Sequence, residues 1–226
     1  LYANASSLTS NISNEIGVRP VVRIKYDSKY PYEFQTLNEI QSTDCIIIQN
    51  KVVVETSLAL EKMQIPEGIE EIASYCFQGE RALKQITLPS SLKRIGIGAF
   101  ENSGITSILL PDGINKIERE CFSSSRLKSI KLPCEIEEIC DNAFSSSLLE
   151  TIDFPDTLNY IGNAAFSLTK ISKVKITNPS IKLSANAFSY CSKLKEVILP
   201  KELEYIPESC FDNCNMLKYN LPETVK

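Results

Sequence analysis

Leu127-Lys128-Ser129-Ile130-Lys131-Leu132-Pro133-Cys134-Glu135-Ile136-Glu137-Glu138-Ile139-Cys140-Asp141-Asn142-Ala143-Phe144 returns 22 residues later as Leu149-Glu150-Thr151-Ile152-Asp153-Phe154-Pro155, with its apolar spacing kept through Ala165-Phe166. Working outward, the phenylalanine recurs as Phe77, Phe100, Phe122, Phe144, Phe166, Phe188 and Phe211, every 22 or 23 residues. Eleven residues ahead of most of them stands a proline: Pro66, Pro89, Pro111, Pro133, Pro155 and Pro200. Thr177 fills that slot once, with Pro179 two places along. A fixed short period of this kind predicts a solenoid, one coil per repeat, each coil stacked on the next.

Within the unit, Ile86, Ile108, Ile130, Ile152, Val174 and Val197 lie three before the slot, and Leu88, Leu110, Leu132, Phe154, Ile176 and Leu199 lie one before it. Alternation of apolar with polar residues there predicts a short strand with one buried face, stopped by the proline, which cannot donate to a ladder. A second apolar contact follows six after the slot at Ile72, Ile95, Ile117, Ile139, Ile161, Leu183 and Ile206. The Ala/Cys-Phe pair then turns a corner with Phe inside the coil. The distance from slot to Phe is constant, so every length change falls in the loop after Phe, where it is tolerated. No coil buries enough apolar surface to order itself; stacking must supply the rest.

The pattern L-x-x-I-x-L-P…I-x-x-x-A-F-x-x-C resembles the leucine-rich repeats of the BspA-like (treponemal-type) family over residues 58–226. The resemblance implies a β-rich (α/β-type leucine-rich repeat) right-handed solenoid of seven to eight stacked coils of 22–23 residues. It also implies a secreted or cell-surface adhesion protein of a bacterium or protist, with a host matrix protein, a cell-surface protein or a glycan as partner. The chain lacks a leading methionine and a signal pattern, and is read as a processed or excised piece of a longer precursor.

Residues 1–57 fall outside the repeat and are assigned as lead-in and N-terminal capping segment, or the tail of a preceding domain. Residues 1–14 are polar and Ser/Asn-rich, and Gly17–Ile24 reads as a strand. Residues Cys45–Val54 read as a β-hairpin around Gln49-Asn50-Lys51, capping the first coil.

Composition narrows the function further. A net charge of −4 with dispersed cations argues against nucleic acid, and no run of apolar residues is long enough for a membrane span. Histidine is absent, which removes the commonest general base and metal ligand. No catalytic residue, metal or cofactor is assigned, and the chain reads as non-catalytic; the alternative is an accessory repeat domain or spacer of a larger surface enzyme.

Of eight cysteines, Cys76, Cys121 and Cys210 share the small-residue column with Ala99, Ala143, Ala165 and Ala187 and are expected as small buried hydrophobes. Cys191 and Cys214, in one column of adjacent coils, are read as structural thiols, with a disulfide as the alternative. Leu221-Pro222-Glu223-Thr224 resembles a sortase signal but belongs to the repeat, and the sequons at Asn4 and Asn11 are composition-driven.

In the outward second-strand column two neighbouring pairs have opposite sign, Glu71 with Arg94 and Lys116 with Glu138, and are expected to pair across coils. The outward first-strand positions are the expected partner-binding face. There Lys131, Lys173 and Lys175 are expected to gather around Asp153, with Leu109 and Ile198 as exposed apolar residues on either side.

Overall fold

The structure is a computed structural model and describes residues 46–49, 51–56 and 60–214. Contacts divide the chain into Leu1–Cys45 and Ile46–Lys226, and all described residues lie in the second unit. The segment at Gly17–Ile24, Cys45, the two sequons, the final repeat from Met216 and the Leu221–Thr224 motif lie outside them.

In chain order the strands are β1 (Ile46–Gln49), β2 (Val52–Thr56), β3 (Lys62–Gln64), β4 (Glu71–Ile72), β5 (Gln85–Thr87), β6 (Arg94–Ile95), β7 (Ser107–Leu109), β8 (Lys116–Ile117), β9 (Ser129–Lys131), β10 (Glu138–Ile139), β11 (Tyr160–Ile161), β12 (Lys173–Lys175), β13 (Lys182–Leu183) and β14 (Glu196–Ile198). Apart from the antiparallel β1–β2 hairpin, every pairing is parallel and joins one coil to the next. The fold is a parallel β-solenoid, with no helix among the described residues.

The hairpin closes with Gln49 opposite Val52, and Lys51 takes a left-handed φ of 65° in the turn. Its second strand continues the solenoid, pairing Val52 with Glu71 and Val53 with Ile72. The first coil's apolar edge is thereby covered, as a capped solenoid requires.

Each proline opens a turn instead of extending the strand. Its carbonyl accepts from the amide three residues on, as in Pro89 to Leu92 and Pro133 to Ile136. In the coil with Thr177 the same bond runs from Asn178 to Ile181, one residue late. Ile181 is buried and takes the core position that Leu92 and Ile136 hold elsewhere.

Inside, the phenylalanines form a single file. Ring centroids from Phe77 to Phe100 lie 5.0 Å apart and from Phe100 to Phe122 5.5 Å. The file continues through Phe144, Phe166, Phe188 and Phe211, with interplanar angles of no more than 10°. Stacking adds about 0.5–1.5 kcal/mol per pair beyond area burial. A backbone ladder runs beside it: Phe122 N–H donates to Ala143 O at 2.7 Å, Phe144 to Ala165 and Phe166 to Ala187, each at 2.8 Å. The column beside it is buried from Ala99 onward and holds only Ala or Cys.

The second-strand ladder ends at the last described coil. Upstream, the amides of Gly96, Cys140, Gly162 and Ser184 donate to the preceding coil at 2.8–2.9 Å. Pro207 occupies that position next and has no N–H, so Tyr205 and Ile206 form no strand.

Candidate functional site

The first-strand face is built by register. Strands β3 and β5 align Lys62 with Gln85 and Gln64 with Thr87; β7 and β9 align Ser107 with Ser129 and Leu109 with Lys131; β12 and β14 align Lys173 with Glu196 and Lys175 with Ile198. Between them Thr151 makes an isolated bridge to Ser129. Every strand in this set has the pattern exposed, buried, exposed. One column therefore reads Leu109, Lys131, Asp153, Lys175, Ile198 along the axis, all exposed.

Leu109 is 67% exposed and Ile198 39%. Beside Leu109 the face dips into a shallow hollow of about 320 Å³, lined by Gln85, Ile86, Thr87, Ser107, Ile108 and Leu109. Asp153 stands in the column between Lys131 and Lys175, but among the described residues none of the three lysines makes an ion pair with it. Lys173 instead turns to Glu196, at 3.0 Å. The expected cluster is thus a stacked column with one side pair.

The second-strand face behaves differently. Arg94 donates to Glu71 at 2.5 Å, and Lys116 lies 2.9 Å from Glu138, the two pairings expected from the sequence. Arg94 also reaches Glu118, and Glu70 sits between Lys51 at 2.6 Å and Lys93 at 3.0 Å. Hydrogen bonds from Lys51 and then Lys93 hold the Glu70 carboxyl below the usual carboxylate range. The bond to Glu138 raises the Lys116 ammonium. A surface pair such as Lys116 with Glu138 contributes about 0–1 kcal/mol.

Three residues after each Phe from Phe100 onward the chain buries a column of small polar groups, of which the sequence singles out only the cysteine end. Ser103, Ser125, Ser147 and Thr169 precede Cys191 and Cys214 there, all buried. Ser125 and Thr169 hydroxyls donate to their own coil's Phe carbonyl at 2.7 and 2.8 Å. Cys191 and Cys214 reach back one coil, to Phe166 O at 3.1 Å and Phe188 O at 3.2 Å. All seven described cysteines are free thiols. The hydrogen bond with Cys214, and then burial, push the Cys191 thiol up. Burial also raises Cys121, and pushes Cys210 up to about 12. Cys121, Cys191 and Cys210 thus pack as protonated groups, since reactivity requires the thiolate, whereas the hydrogen bond with Cys191 lowers the Cys214 thiol.

Two residues after each Phe the backbone is left-handed. Gly79, Asn102, Ser124, Ser146 and Asn213 suit that conformation, whereas Leu168 at φ 61° and Tyr190 at φ 58° do not. Both are more than half exposed. The break from small polar to bulky residues in that column was the available signal.

The sequence profile of the BspA type leucine rich repeat region matches residues 46–169 and 115–226, in six copies. The chain belongs to the BspA-type leucine-rich repeat family. Among solved structures, the leucine-rich repeat protein of T. pallidum is similar at 26% identity and a TM-score of 0.53, over 82% of this chain and 83% of that one. A leucine rich cell surface protein of Faecalibacterium prausnitzii shares 22% identity at a TM-score of 0.48, over 70% of this chain. The BspA-type chain spans 58% of that protein. No curated protein matches the sequence.

Proposed function

We propose that this BspA-type solenoid is a non-catalytic binding module of a cell-surface or secreted protein, and that it engages a protein partner through the first-strand face. The observation that carries this reading is the column Leu109, Lys131, Asp153, Lys175, Ile198: register holds five exposed side chains in line, and its two large apolar members stand in solvent. Leu109 and Ile198 supply apolar contact points at the two ends of a file that also carries Lys131, Asp153 and Lys175, the mixture of apolar and polar groups that protein interfaces use. A host matrix or cell-surface protein is the partner class that the family resemblance supports. The absence of histidine agrees with a binding role in place of chemistry.

The test is binding of the full chain to immobilised extracellular matrix proteins and to whole cells. Leu109→Asp combined with Ile198→Asp is expected to abolish binding with an unchanged melting temperature, because both side chains are exposed. Undiminished binding by this double variant removes the face from the proposal. If neither the chain nor a longer precursor binds, the chain is a spacer.

A further inference from the structure

We infer that the partner presents an acidic protein segment, with apolar residues at its two ends, to the C-terminal half of the first-strand face; this rests on the protein-binding reading above. The four coils concerned have their charge sorted by side. Their first-strand halves (residues 123–132, 145–154, 167–176 and 189–199) carry eight Lys or Arg against three Asp or Glu. Their second-strand halves (133–144, 155–166, 177–188 and 200–211) carry two against eight.

All eight of those cations are exposed. Arg126, Lys128 and Lys131 come from one coil, Lys170, Lys173 and Lys175 from the coil two further on, and Lys193 and Lys195 from the next. Among the described residues, Lys173 alone of the eight is ion-paired, to Glu196. On the second-strand side, by contrast, most lysines and arginines of the N-terminal coils are neutralised by neighbouring glutamates. The backbone rungs fix these positions: Glu150 N–H donates to Lys128 O and Lys195 N–H to Ser172 O, both at 2.9 Å. Lys170 and Lys193 hold matching positions in adjacent coils, about 4.8 Å apart along the axis and so inside a Debye length of about 8 Å. A partner of opposite sign is steered to this side and repelled from the other.

Two features select a protein segment over a sulfated glycan. Leu109 and Ile198 bracket the strip, and covering them takes apolar side chains. Asp153 in the middle would repel a uniformly anionic polymer. From Leu109 to Ile198 is four coil steps, about 19 Å at about 4.8 Å each. An extended chain covers that in roughly six residues. The complementary segment therefore has apolar residues about six apart, acidic residues facing Lys131 and Lys175, and a neutral one facing Asp153.

The experiment titrates the full isotope-labelled chain with three probes and follows amide shifts. The first is a synthetic peptide with two leucines six residues apart, glutamates between them and a serine midway. The second is its lysine-for-glutamate counterpart, and the third is heparin. The acidic peptide is expected to move amides of Ser129–Lys131 and Lys173–Lys175 and to weaken about tenfold from low to physiological salt. Lys131→Glu with Lys175→Glu is expected to weaken it at least tenfold and to transfer preference to the lysine peptide. Equal binding of the acidic and lysine peptides on that face overturns the acidic-partner inference and leaves the binding face intact. Heparin binding that survives Leu109→Asp with Ile198→Asp, while the peptide is inert, overturns the assignment to protein. No shift on the face with any probe overturns this inference, and the matrix-protein assay then decides the broader reading separately.

Discussion

On the second-strand face Glu71 meets Arg94 and Lys116 meets Glu138, coil against coil; on the first-strand face Lys131 and Lys175 flank Asp153 without closing on it. Both faces sit on the same stacked interior and repeat with the same period, so fold does not explain the difference. Pairs that satisfy one another across a parallel ladder favour the correct register and leave little field outside. Side chains held in line but unpaired add nothing to register and project their charge into solvent. The repeat thus makes two kinds of surface from one template, one whose charges close on their own neighbours and one that, apart from Lys173 with Glu196, is left open to another molecule.

Both faces depend on the interior they share. Phe144 stacks on both Phe122 and Phe166, so Phe144→Ala opens a cavity shared by both faces. A loss of about 3–5 kcal/mol in denaturant unfolding is expected. A much smaller loss would show that the two sheets do not depend on a common file of rings.

Next in size is Gly104, at the edge leading into the strand that carries Leu109. A Cβ there would stand 2.0 Å from the carbonyl oxygen of Arg81 in the preceding coil, and backbone cannot step aside as a side chain can. Gly104→Ala is expected to cost about 1–3 kcal/mol, and to disturb amide shifts on the first-strand face more than on the second.

A gain is expected at Leu168, whose left-handed backbone suits asparagine better. Leu168→Asn should stabilise by about 0.5–1 kcal/mol in the same unfolding assay. No gain would mean that the exposed leucine makes contacts that offset the strain.

The smallest effect addresses the two faces directly. A double-mutant cycle on Lys116 and Glu138 is expected to give a coupling of about 0.2–1 kcal/mol that fades at high salt, and the same cycle on Lys131 and Asp153 a value near zero. Because Lys116 is raised in the folded state, its contribution is full below the ordinary lysine value of 10.5 and is lost as pH rises through the raised one. Glu70 runs the opposite way: its contribution is present above the ordinary value of 4.5 and disappears as pH falls through the lowered one. Stability curves that move against either sign would remove the pairing as their cause.

Residue by residue, legibility followed periodicity. The Phe file, the short first strands and the pairs Glu71–Arg94 and Lys116–Glu138 were readable because each repeats at the coil period and so must lie beside its own copy; the hairpin cap was readable from its own alternation around a turn, and at Thr151 the expected strand shrinks to a single bridge. Exceptions to the period were not readable. The shift of the turn to Asn178–Ile181 and the lost rung at Pro207 depend on where one amide points. Lys173 selecting Glu196 over Asp153 depends on competing side-chain contacts within one layer.

The amino-acid sequence alone determined the stacking, the identity of the buried columns and which residues share each exposed file, since a constant repeat length leaves a chain one way to bury its apolar positions. Only the tertiary structure decided which neighbours within a file join and which stay apart, because side-chain pairing turns on differences of an ångström or two that the spacing of letters does not encode. The buried hydroxyl and thiol column belongs to that second class. Its members are small in the sequence, and only the closed coil brings the Ser125 and Thr169 hydroxyls and the Cys191 and Cys214 thiols to Phe carbonyls, while the buried Ser103 and Ser147 hydroxyls have no hydrogen-bond partner among the described residues.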